Sequence, residues 1–168
     1  DLITVYDDMG ILSLDEKGTV KTSGTEIGAF VRLDDLDAGY SFKELDRSVF
    51  MNPDKVNARI VIPITEYKDV VAKHDVDMFL YANNYEEKGD SLSFFDNVDD
   101  ALKVFRAGNR MAKGTTTEYG LVGSYFANPF GPVQRQNQCE PLLQDYFQRM
   151  FDQGVKVGQL RTRLGIKG

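Results

Sequence analysis

Residues 74–81 read HDVDMFLY, and residues 97–114 read NVDDALKVFRAGNRMAKG. In the first stretch Val76, Met78 and Leu80 alternate with Asp75, Asp77, Phe79 and Tyr81, the period-two pattern of a strand. In the second, Ala101, Val104, Phe105, Gly108, Met111 and Ala112 recur at the spacing that gathers side chains on one face of an α-helix. This change of period divides the chain. It predicts an α+β fold, with a mainly antiparallel sheet from residues 1–95 and two or three helices packed on it. Residues 1–168 are expected to form a single globular domain, strand-rich over 1–95 and helix–loop–helix over 96–168.

Upstream, residues 25–33 place Ile27, Ala29, Val31 and Leu33 on one face of a half-buried strand. Residues 59–64 form a β-branched run broken by Pro63, which cannot donate to a ladder and so belongs at a sheet edge. Two turns share one chemistry, Asp15-Glu16-Lys17-Gly18 and Glu86-Glu87-Lys88-Gly89, and each is expected to close a hairpin with a glycine at positive φ. Downstream, Asn97 is placed to cap a helix running from about Val98 to Gly114, with Asp99 and Asp100 in its first turn. Pro141 suits the first turn of a second helix and Gly154 its stop. On that helix Leu142, Leu143, Tyr146, Phe147, Met150 and Phe151 make an apolar stripe that reads as core. Residues 157–164 add a short third helix.

Charge is divided by position. Residues 1–100 carry 22 Asp/Glu against 10 Lys/Arg, and residues 101–168 carry 4 against 10, so a −12 front precedes a +6 back within the formal net charge of −6. On the first helix Lys103, Arg106, Arg110 and Lys113 follow one another at intervals of three, four and three, which places them within about 80° of the circumference. Such a stripe is either a solvated face or a surface for an anionic partner. The long connection between the helices, residues 114–138, carries Tyr125, Phe126, Phe130 and Arg135 and either folds over its own core or docks on a neighbour.

These features point to a non-catalytic protein-binding or structural subunit of a larger assembly, whose partners are other protein subunits or copies of itself. A phage or viral particle is one setting with that logic. Nucleic acid is the weaker anionic partner, because the acidic front repels phosphates. Residues 153–168 resemble the first helix and turn of a helix-turn-helix, but the sequence stops three residues after Gly165, before a recognition helix. No run approaches the ~18 consecutive apolar residues of a membrane span, so no membrane partner is expected.

His74 and Cys139 are the one histidine and the one cysteine, which leaves no intramolecular disulfide and no multi-His or Cys-based metal site. Asp7-Asp8 and Asp34-Asp35-Leu36-Asp37 do not meet the ligand spacing of a calcium loop, and no glycine pattern for a nucleotide is present. No metal and no cofactor are expected. A histidine opening a strand, followed by a cysteine at a helix start, is similar to the order found in circularly permuted papain-like cysteine hydrolases. Tyr119-Gly120-Leu121 looks like a segment of the same families. The resemblance implies His74 as base and Cys139 as nucleophile, its thiol activated by the helix N-terminus. The competing reading is a small half-buried cysteine and an unrelated histidine.

Overall fold

Residues 157–162, expected as part of a third helix over 157–164, lie in the β-strand Lys156–Thr162, which stands at the centre of its sheet. The structure is a computed structural model that describes residues 3–7, 9–32, 59–84, 89–113, 119–123, 125 and 134–162. Its fold is α+β, and the chain divides into two compact units, residues 1–15 with 21–75 and residues 16–20 with 76–168.

In the first unit β1 (Gly10–Leu14), β2 (Val20–Gly24) and β5 (His74–Asp75) form a sheet in the order β1-β2-β5. Gly18 turns the chain between β1 and β2 at φ 78°, as the sequence predicts. β3 (Gly28–Arg32) pairs antiparallel with β4 (Arg59–Pro63), which puts Pro63 at the end of a two-stranded ribbon where its missing N–H costs nothing. The short helix α1 (Tyr67–Val71) buries Val70. A Cβ on Gly24 would lie 2.7 Å from Val70 Cγ1 and strike the Tyr6 side chain, so this end of β2 accepts no larger residue without a shift.

The second unit is built around β6 (Met78–Asn84), β7 (Leu92–Phe94) and β10 (Lys156–Thr162), in the order β6-β10-β7. The strand β10 runs parallel to β6 and antiparallel to β7. The second expected hairpin is therefore overturned: β6 and β7 do not pair with each other, because β10 lies between them. Gly89 has no positive φ, and residues 85–88 lie outside the described residues.

Two helices lie on one face of this sheet. α2 (Val98–Ala107) starts at Asn97, whose side-chain oxygen accepts from the Asp100 N–H at 2.9 Å. It ends at Gly108, at φ 53°, and not at Gly114. The cause lies in the strand beneath it. Buried Asn83 of β6 donates to the Asn109 carbonyl and accepts from the Met111 N–H at 2.8 Å, which pulls the chain off the helix path. The chain then enters the antiparallel pair β8 (Arg110–Lys113) and β9 (Tyr119–Val122).

α3 (Gln136–Asp152) begins five residues before Pro141, so that proline stands inside the helix rather than in its first turn. It leaves the carbonyl of the exposed residue Asn137 without its helical donor. Gly154, at φ 77°, marks the predicted stop of α3, and the chain then turns into β10. The core lies between sheet and helices. Phe105 stacks on Phe79 at 5.3 Å and meets Phe147 edge-on at 4.9 Å, and Leu102, Phe147, Met150 and Val157 are fully buried around them. Leu142, expected in the same stripe, is exposed.

Candidate functional site

The predicted basic stripe is not formed. Only Lys103 and Arg106 lie on α2, because Gly108 ends the helix and places Arg110 and Lys113 on β8. Lys103 is exposed and Arg110 half-buried. Arg106 turns toward α3. Its Nε donates to Glu140 Oε1 at 2.6 Å, and its Nη2 pairs with the same carboxylate and donates to Gln144 Oε1 at 3.0 Å.

Tyr125 completes this cluster by donating its hydroxyl to Glu140 Oε2 at 2.6 Å. Burial, then the bond to Glu140, pushes the Tyr125 hydroxyl up to about 12. For Glu140, burial pulls upward, but the hydrogen bonds from Arg106 and Tyr125 outweigh it and hold the carboxyl below its ordinary value. Two residues expected to meet a partner, Arg106 and Tyr125, are thus engaged with their own helix α3. Arg135, immediately before α3, is exposed and donates to Gln138 at 3.4 Å. Phe126 and Phe130 lie outside the described residues.

His74 and Cys139 fall in different units. The His74 Nε2 lies 2.6 Å from the Asp69 carbonyl, which can only accept, so Nε2 carries the proton in a local structural bond. Cys139 is half-buried in the first turn of α3 and is a free thiol. Among the described residues no cluster of His, Cys, Asp and Glu is arranged to hold a metal ion, and no helix is long and apolar enough to cross a membrane.

The second unit presents a feature that sequence reasoning missed. Residues paired across β6, β10 and β7 share a face, so one side of the sheet carries Phe79, Tyr81 and Val157 beneath the helices. The other side carries Met78, Leu80 and Ala82 of β6, Leu160 of β10, and Leu92 and Phe94 of β7. On it Met78 is 45% exposed, Phe94 45% and Leu92 40%. The Lys156 ammonium stands 5.9 Å from the Phe94 ring centre at its border. A signal was present in the sequence: Ser91-Leu92-Ser93-Phe94-Phe95 is an uncharged run held between Asp90 and Asp96.

Where β7 meets α2 there is a cleft of about 390 Å³, lined by Phe95, Asp100, Lys103, Val104, Ala107 and Asn109. Phe95 and Val104 are half-buried, while Asp100, Lys103 and Asn109 are exposed. The cleft offers an apolar floor with a charged rim, which suits a side chain better than a polar metabolite. In comparison with known proteins, the chain matches no protein family, no curated protein and no solved structure.

Proposed function

We propose that the chain is a non-catalytic protein-binding subunit of a larger assembly, and that it associates through the open apolar face of the β6-β10-β7 sheet. The observation that carries this reading is the exposure of Met78 on β6 and of Leu92 and Phe94 on β7, all on the same face of the sheet. Apolar side chains gathered on one sheet face gain free energy when a partner covers them, at roughly 25 cal/mol per Å² of apolar surface. The partner surface is thus the sheet rather than the helix stripe expected from sequence.

Light scattering on the purified chain, alone and with candidate partner subunits, tests the proposal from low to high salt. Association is expected to persist at high salt, since the surface is apolar, and to be lost in the double variant Leu92→Ser/Phe94→Ser. A strict monomer with no partner at any salt, or association that the double variant leaves intact, contradicts it.

A further inference from the structure

Strand β7 is an edge, and its hydrogen-bonding geometry is resolved. Phe95 N–H donates to the Val157 carbonyl at 2.9 Å, and Arg161 N–H donates to the Ser91 carbonyl at 2.7 Å. In the antiparallel register Ser93 faces Gln159, so residues 91, 93 and 95 direct their backbone groups at β10. The N–H and C=O of Leu92 and Phe94 therefore point the other way, along an edge that no strand among the described residues covers, and all three residues of β7 are exposed. A strand edge of this kind accepts an incoming strand by main-chain hydrogen bonding.

Two further observations define what that strand must be. Asp90 and Asp96, both exposed, stand two residues outside Leu92 and Phe94 on either side. If β7 paired antiparallel with β7 of a second copy about Ser93, each Asp90 would face an Asp96, and like charges opposite one another destabilise a pair. The same carboxylates favour a strand with basic residues six positions apart. Between those ends, residues opposite Leu92 and Phe94 would extend the apolar face, and the residue opposite Ser93 would point to the helix side, the side on which the cleft beside Phe95 and Val104 lies.

We propose that the β7 edge and the adjoining α2 cleft form a docking site for an extended segment of another protein, apolar at three successive central residues and flanked by Lys or Arg. The proposal deepens the protein-binding reading above by naming the partner's chemistry and the strand that receives it.

The test uses a fluorescent heptapeptide, Lys-Ser-Val-Leu-Val-Ser-Lys, acetylated and amidated, titrated with the full chain. Saturable binding is expected, weakened by salt, with amide shifts in NMR spectra at Leu92, Phe94 and Val104. Replacing both lysines by Glu, or N-methylating the peptide backbone where it faces Leu92 and Phe94, is expected to weaken binding about tenfold or more. The variant Leu92→Pro removes an outward N–H without touching the β10 ladder and is expected to do the same. The exposed double variant Asp90→Lys/Asp96→Lys is expected to fold as the parent does and to prefer the Glu-ended peptide. No saturable binding, equal affinity for both peptides, unchanged preference in the charge-reversed variant, or shifts confined to other elements overturns the proposal. If the peptide fails while association still depends on Leu92 and Phe94, only the docking mode falls and the protein-binding reading stands.

Discussion

Gly158 lies on β10 where the strand has no room for a side chain against β7. It faces Phe94 in a non-hydrogen-bonded antiparallel pair, the narrower kind. A Cβ at this position would run into the Ser93 carbonyl, lie 2.9 Å from Phe94 Cδ1 and 3.3 Å from Leu80 Cδ2. The Phe94 ring could move aside, but the Ser93 carbonyl belongs to the strand itself. Gly158→Ala is therefore expected to destabilise the protein by about 1–3 kcal/mol, as overpacking does. Urea unfolding measures this, and a double-mutant cycle with Phe94→Ala is expected to recover only the part due to the ring. A neutral Gly158→Ala would show that the strand separates more readily than its register implies. The two residues that invited catalytic chemistry stand differently: His74 is held by the Asp69 carbonyl, and Cys139 lies in the first turn of α3, next in sequence to Glu140.

Glu140 links elements, receiving Arg106 from α2 and Tyr125 from the segment that precedes α3. Its folded pKa is lowered, so its contribution is present above the unfolded value of 4.5 and is lost as pH falls through the folded one. Tyr125 is raised from 10.0 to about 12, so its contribution is complete below pH 10 and is lost as pH rises toward 12. Glu140→Gln is expected to cost about 1 kcal/mol near neutral pH, a low figure for charge-assisted bonds because the Arg106 and Glu140 side chains are 36% and 35% exposed to screening solvent. Chemical denaturation across pH checks this: the gap between parent and variant is expected to close as pH falls well below 4.5. A gap of the same size at all pH values would assign the loss to packing. The elements themselves were partly legible. Asn97, Gly18 and Gly154 act locally, through a cap or a positive φ, and the sequence pattern located all three. What it missed depended on partners far along the chain. Asn83 draws residues 109–111 away from α2, and β10 enters between β6 and β7, which removed both the cationic stripe and the second hairpin.

Across the whole molecule, the charge split by position is not a split between folded units. Counted by unit, residues 1–15 with 21–75 hold 14 Asp/Glu against 8 Lys/Arg, a net −6, whereas residues 16–20 with 76–168 hold 12 of each. The acidic run that includes Asp90, Asp96, Asp99 and Asp100 folds with the basic back of the chain, so the second unit is neutral in sum and charged only locally. Salt dependence of partner binding then reports the carboxylates near the contact rather than a global attraction between opposite halves. Stability is uneven for a related reason, the number of neighbours each element has. β10 has a strand on both sides, and its Val157 is fully buried. Among the described residues the β3–β4 sheet has only two strands, and Val61 remains exposed on it; a two-stranded ribbon has fewer neighbours to hold it than a central strand. Native-state hydrogen exchange followed by NMR is therefore expected to find the slowest amides in β10 and in the buried turns of α2 and α3, and faster exchange in β3 and β4. The expected interval is at least about tenfold in protection, since opening the ribbon breaks one ladder and uncovers Ile60, whereas opening β10 breaks two ladders and uncovers the Phe79, Phe105 and Phe147 cluster. Equal protection in both would mean that the two units open as one, with the ribbon held by more than its own pairing.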